Sequence, residues 1–503
     1  MTSETDGSKP VVLAPSTDEE QKEKLLNPES GKLINASTDP KQLEGRLTKA
    51  LLFAVIAATF GSSFQFGYHI GCVNAPGDLI TRWYIDSHRY LYNTTLTPEE
   101  ANVQWSLSVG IFAVGGMIGG LLSGWFADRL GRKGSLLINN LFAFIAAALM
   151  SLAKYVGVYY LVTAGRLVIG FSCGLSSGLV PMYLTEIAPT NLRGSLGSVH
   201  QLLVTIAILV AQILGLPDLL GNEQRWPLIF AFTVVPCIFQ LITLPLCPES
   251  PKFNLINKNK PDQAEKDLKK LRDRADVSAE MEVAQAEATA ARSQPKVTFG
   301  DMFKGALRWP LFIAVMMMFS QQLSGINAAI AAIYATIAMG AINVLMTLVS
   351  VYLVDHPKFG RRSLHLTGLI GMCISSILIV VSLSLANVKE GQPPQRPWAA
   401  YLSIVWVILF VVAFATGPVC SITSIWFYVA RGNANSIAVL ANWAANFLVA
   451  TFFLPLNGLL NQYTFLVFAT LLAFFAFFTW KFAPETKNRT LNDIQADMSS
   501  KSQ

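Results

Sequence analysis

The feature that most constrains this chain is a run of apolar segments, each long enough to cross a bilayer, that recurs from residue 50 to residue 482. A helix rises about 1.5 Å per residue, so about 20 apolar residues cover a hydrocarbon core of about 30 Å. Such segments lie at 50–73, 104–126, 134–153, 157–185, 196–216 and 226–247, then at 309–332, 335–354, 364–386, 399–429, 434–456 and 463–482. The expectation is an all-α polytopic membrane protein with twelve spans. Composition agrees: 14% of residues are charged, where soluble globular chains carry about 25%. A net charge of +6, dispersed along the chain, excludes a nucleic-acid partner. Cys72, Cys173, Cys237, Cys247, Cys373 and Cys420 all lie in apolar stretches. They show neither a secreted disulfide pattern nor metal-ligand spacing, so no metal or other cofactor is expected.

Residues 1–49 are polar, without an apolar run long enough for a signal peptide, and read as a disordered cytosolic tail. Residues 50–248 form the first six-helix bundle and 309–483 the second, with a short cytosolic tail over 484–503. Between the bundles, 249–308 carries twelve Lys/Arg and ten Asp/Glu, with Leu268 and Leu271 at helical spacing. This linker reads as short amphipathic helices in water. Eleven Lys/Arg flank the spans on the side of both termini and the linker, and six on the other. The positive-inside rule then places both termini in the cytosol.

The chain also repeats. Asp128-Arg-Leu-Gly131-Arg-Lys133 follows span two, and Asp355 with Gly360-Arg-Arg362 follows span eight. Arg193-Gly194 returns as Arg431-Gly432, and Pro248-Glu-Ser-Pro251 as Pro484-Glu-Thr-Lys487. The offsets of 229, 238 and 236 residues are nearly equal and imply duplication. Two parallel six-helix halves with a site at their midplane interface form a transporter architecture. Asp128, Arg129, Arg132 and Lys133, with Glu186, Arg193 and Glu249, then suit a network of ion pairs at one mouth that holds the bundles in one state and releases them in another. Asp355, Arg361, Arg362, Arg431 and Glu485 are their second-half counterparts. The plainer alternative is a set of orientation charges at helix ends.

Taken with Gly61-Ser-Ser-Phe-Gln65-Phe-Gly67-Tyr68, Pro181-Met-Tyr183, Gln201-Leu, Ala211-Gln212, Gln321-Gln-Leu-Ser-Gly-Ile-Asn327 and Asn442-Trp443, these motifs resemble the sugar-porter branch of the major facilitator superfamily. The resemblance is close to the animal facilitative glucose transporters and runs from about residue 46 to 490. It implies the major facilitator fold, a plasma-membrane location and a hexose substrate, D-glucose before D-fructose. A hexose is neutral and covered in hydroxyls that donate and accept, so amides with an aromatic plane suit it. Polar amides are rare in lipid-facing helices because unpaired ones are costly there. The resemblance assigns sugar contacts to Gln201, Gln321, Gln322, Asn327 and Asn343, and places Asn442 and Trp443 nearby. Gln212 and Asn446 lie in the same helices and stay open between sugar contact and interhelical hydrogen bond. Asn93-Thr94-Thr95 is a glycosylation sequon on an outer loop.

No Asp or Glu falls within the apolar cores of the spans. Proton-coupled porters resembling this chain carry an acid after Phe-Gly-Tyr, where this sequence has His69, so passive uniport is the expected mechanism. Arg166, inside span four, is expected to have a structural role, capping carbonyls or pairing near the outer end, in preference to contacting substrate. The chain is not expected to be an enzyme: no nucleophile–base pair, metal cluster or phosphate loop is visible. Two stretches depart from the family pattern. From Asn327 to Asn343 the chain is too short to climb to the outer surface and return, so the outer half of helix seven is missing. After Gly417-Pro418 the later prolines and an acid are absent, Trp426 is displaced, and Ala415 replaces a common carboxylate. The alternatives are therefore a transport-defective isoform or sugar sensor, or a fructose or proton-coupled carrier.

Overall fold

The computed structural model describes residues 45–293, 300–303, 308–325, 333–356, 359–386, 395–418 and 433–485. Among the described residues every regular element is helical, and 11 helices are long and apolar enough to cross a membrane.

The first half opens with α1, Lys49–Gly71. Thr48 caps it by accepting the Leu51 N–H at 3.1 Å. A π turn at Thr59–Ser63 interrupts α1, and the Gln240 amide packs against it, bonding Ser62 Oγ and the carbonyls of Ala57 and Ala58. Helix α2, Gly77–Tyr92, was not expected. It is amphipathic and carries Asp78, Arg82, Asp86 and Arg89, so its apolar content falls below that of a span. Helix α3, Pro98–Leu130, starts with a reciprocal Thr97–Glu100 capping box and Pro98 at its first turn. At about 1.5 Å per residue its 33 residues outreach the bilayer core. Helices α4 (Arg132–Val156), α5 (Tyr160–Ile187), α6 (Arg193–Leu214) and α7 (Trp226–Leu246) complete the half. Helices α3 and α5 cross with backbones nearly touching: a Cβ at Gly115 would lie 2.2 Å from the Leu167 carbonyl oxygen, and one at Gly170 2.1 Å from that of Phe112. Lipid gives no hydrophobic gain on helix association, so small residues that permit such approach supply the packing.

The linker contains α8 (Pro251–Ile256), α9 (Pro261–Arg272) and α10 (Ser278–Ser293) around Leu255, Leu268 and Met281. Arg272 ties it to the first half, pairing with Glu280 at 2.9 Å and donating to the Ile187 carbonyl at 2.8 Å.

The second half contains α11 (Arg308–Gln322), α12 (Ile333–Asp355), α13 (Arg361–Ala386), α14 (Pro397–Thr416), α15 (Asn433–Leu460) and α16 (Thr464–Phe482). The 15 described residues of α11 span about 22 Å, and α11 is not among the 11 described helices that are long and apolar enough to cross. The halves meet where α15 packs on α3 and α12 packs on α6.

Candidate functional site

A cavity of about 370 Å³ lies between the halves. From the first half it receives Phe66 (α1), Phe112 (α3), Ser177 (α5) and, on α6, His200, Gln201 and Gln212. From the second come Gln321 and Gln322 (α11), Asn343 (α12) and, on α15, Asn435, Asn442, Trp443 and Asn446. No Asp, Glu, Lys or Arg lines it among the described residues. The wall is uncharged, amide-rich and aromatic, a lining matched to a neutral ligand rich in hydroxyls.

The amides of α11 and α15 form a chain of mutual hydrogen bonds. Asn442 Nδ2 donates to Gln321 Oε1 at 2.9 Å, and Gln322 Nε2 donates to Asn442 Oδ1 at 3.1 Å. Asn446 Nδ2 closes the chain on Gln322 Oε1 at 3.2 Å. The two readings of these amides thus coincide: they join two helices and also face the cavity. An amide offers two donors and two lone pairs, so each retains capacity for a ligand hydroxyl. Trp443 is 2% exposed and bridges the halves, its Nε1 donating to Ser177 Oγ at 3.2 Å. Its ring stands 5.2 Å from Phe66 and 5.3 Å from Phe112. Asn343 presents a buried Oδ1 without a hydrogen-bond partner. Gln201 borders the cavity on α6. Asn327 and Arg431, with the Asp355 side chain, lie outside the described residues, as does the stretch 419–432 that holds most of the second departure.

His69 is fully buried, its Nε2 2.8 Å from Thr233 Oγ1. Arg166 is 1% exposed and donates to the His69 carbonyl at 2.9 Å, with its guanidinium 4.3 Å from the Phe112 ring centroid. A carbonyl and an aromatic face, in place of a carboxylate, thus hold this buried cation.

At the end bearing the linker, Arg132 reaches Glu186 with Nη2 on Oε1 and Nε near Oε2, both at 2.8 Å, and donates to the Ala127 carbonyl at 3.2 Å. Glu186 Oε2 also accepts from Ser250 Oγ at 2.5 Å. The duplicated glutamates share a different task. Glu249 Oε1 accepts the Lys133 N–H at 3.1 Å and the Ser250 N–H at 2.8 Å. Glu485 accepts the Arg361 and Arg362 N–H groups, each at 3.1 Å. Each carboxylate therefore caps the start of a helix, α4 or α13, where free N–H groups and the helix dipole favour an anion. Close approach requires glycine: a Cβ at Gly131 would lie 2.4 Å from Glu249 Oε2, and one at Gly360 2.3 Å from Glu485 Oε2. Burial pushes the Glu249 carboxyl above the usual carboxylate range, opposed by these N–H donors and by Arg132. Lys133 Nζ donates to the carbonyls of Pro245 and Cys247 at 2.7 and 2.8 Å. Asn257 donates to the Asp128 carbonyl, Arg129 lies 5.3 Å over the Trp125 ring, and Arg193 opens α6.

A family model described as "Sugar (and other) transporter" matches residues 54–498. The chain belongs to this family. It is 58% identical to facilitated glucose transporter protein 1 of Caenorhabditis elegans over 90% of this chain and 92% of that protein. It is 40% identical to solute carrier family 2, facilitated glucose transporter member 1 of Gallus gallus, over 89% and 93% respectively. Among solved structures, the major facilitator proton:xylose symporter XylE bound to 6-bromo-6-deoxy-D-glucose superposes with a TM-score of 0.72 at 26% identity, covering 90% of this chain and 99% of that one.

For this sugar-transporter family chain, sequence reasoning did not single out His200, Phe66, Phe112 or Asn435 as cavity residues. His200 adjoins Gln201 and binds Ser63 Oγ at 2.7 Å, in the π turn of α1. A mid-span imidazole is a polar signal of the same kind as the amides. The phenylalanines carry no such signal, because aromatic residues are common throughout the spans.

Proposed function

We propose that this protein moves a neutral hexose, D-glucose first, down its gradient across the plasma membrane as a uniporter. The halves rock about the amide-lined cavity along the α3–α15 and α6–α12 seams, exposing it to one side at a time. The observation that carries this reading is the absence of any ionisable carboxylate or cation from the described cavity lining, combined with amides and an aromatic plane. Position 69 holds a packed histidine where proton-coupled relatives carry an acid, which supports passive transport over symport. The two relatives above bear the name facilitated glucose transporter, which supports glucose. The excess of Lys/Arg on the linker side supports cytosolic termini. Asn93 would then face outward. It is exposed at the end of α2 with φ 54°, an accessible acceptor for a glycan. Carriage needs no chemical step, so the protein is not an enzyme on this reading.

Radiolabelled D-glucose uptake into cells lacking hexose carriers tests the proposal. Saturable uptake at the same rate with and without an inward proton gradient is expected. Acceleration by the gradient would contradict uniport. Normal surface expression with zero uptake would favour a binding-only isoform, a reading that the shortened stretch from Asn327 to Asn343 motivates.

A further inference from the structure

The two walls of the cavity differ in hydrogen-bond state. On the α11–α15 wall the amides bond one another. On the α6–α12 wall two acceptors are buried and unpaired, Gln212 Oε1 and Asn343 Oδ1. Gln212 is 6% exposed and borders the cavity. Its Oε1 rests against α12, where a Cβ at Gly340 would lie 2.7 Å away. Gly340 and Asn343 are three residues apart on α12, hence on one helical face. Gln212 and Asn343 therefore flank the same stretch of the seam between the halves, both short of donors. A buried acceptor left unpaired is destabilising, whereas a hydroxyl that reaches it removes the penalty.

We propose that Gln212 is a direct hexose contact, acting with Asn343 to take the donor hydrogens of neighbouring sugar hydroxyls. This rests on the hexose-carrier reading and adds a residue to it. The α11–α15 amides spend part of their capacity on one another and keep the rest for the ligand, while the α6–α12 acceptors are wholly unmet until a ligand with closely spaced hydroxyls reaches them. Because Gln212 packs on Gly340 across the seam, a hydroxyl drawn to it also binds at the surface along which the halves move.

The test uses full-length protein in detergent and Gln212→Met, which keeps the volume and removes the amide oxygen and nitrogen, with Gln212→Leu as a second variant. Two quantities are read: the thermal midpoint without sugar, and binding of D-glucose and the monodeoxy-D-glucoses, each lacking one hydroxyl. With an unpaired acceptor removed, the sugar-free midpoint should stay level or rise. Glucose should bind about 3- to 10-fold more weakly, the loss expected for one uncharged hydrogen bond. One monodeoxy sugar should bind wild type and variant alike, because its missing hydroxyl is the one Gln212 receives. A lowered sugar-free midpoint with every monodeoxy penalty unchanged in both variants overturns the proposal and makes Gln212 a packing residue. Wild-type protein that binds no glucose removes the carrier reading itself, an outcome distinct from a variant that binds as well as wild type.

Discussion

Gly116→Leu will cut the transport rate at least about tenfold at equal surface abundance, because it drives a side chain into the seam between the halves. A Cβ at Gly116 would lie 2.3 Å from Trp443 Cδ2, well inside contact distance. The indole cannot retreat freely, since it is 2% exposed, bonded to Ser177 and packed between Phe66 and Phe112. Helix α15 must therefore move away from α3. Overpacking of this kind costs about 1–3 kcal/mol, and about 1.4 kcal/mol already shifts a two-state equilibrium tenfold. A carrier needs both its states populated, so displacing one state by this amount slows the cycle. Gly116→Ala, with a smaller intrusion, should fall between the two. Initial uptake rates normalised to surface protein check this, and a wild-type rate in Gly116→Leu would mean that the indole does not sit on the moving seam.

Arg132→Leu should have an effect of comparable size on stability. Arg132 is 9% exposed and supplies the positive charge beside Glu186 and Glu249. Removing one partner of a buried pair leaves an uncompensated charge, a loss of about 3 kcal/mol or more. The loss should depend on pH with a definite sign. Glu249 already holds its proton more tightly than a free glutamate, owing first to burial, and Arg132 opposes that rise. Without Arg132 the folded protein keeps this proton into a range where the unfolded chain has released its own. Stability then falls as pH rises through that window and recovers as pH drops below it. Thermal unfolding in detergent at about pH 5 and about pH 7.5 should show the larger deficit at the higher pH. Arg132→Lys, which keeps a point charge and loses the fork, should recover part of it. Equal deficits at both values would remove Glu249 from the explanation.

The apolar periodicity made most of the fold legible. Lipid requires every spanning helix to satisfy its own backbone, so long uncharged runs leave few alternatives. Helix α2 escaped because Asp78, Arg82, Asp86 and Arg89 give it the polarity of a loop, while its buried face rests on Ile80 and Tyr84. The candidate site was visible for the same reason as the spans: Gln322, Asn343 and Asn442 are expensive in apolar helices and stand out against them. Their partners were not visible. A sequence shows that an amide lies in a helix, whereas the pairing of Gln322 with Asn442 and the isolation of Gln212 depend on which helices meet. The Glu249 and Glu485 motifs were conspicuous as a repeat. Their shared role, receiving the first N–H groups of α4 and α13, emerges only when the chain returns to those helix starts.

On the proposed function, the uncharged amides facing this cavity recognise a neutral hexose by its pattern of hydroxyls. Binding of D-glucose and L-glucose to purified protein in liposomes, with Gln322→Leu alongside, tests it most directly. Saturable binding of the D form in clear preference to its mirror image is expected, weakened in Gln322→Leu while the protein stays folded. Equal binding of the two enantiomers, or D-glucose binding indifferent to the loss of the Gln322 amide, would contradict it.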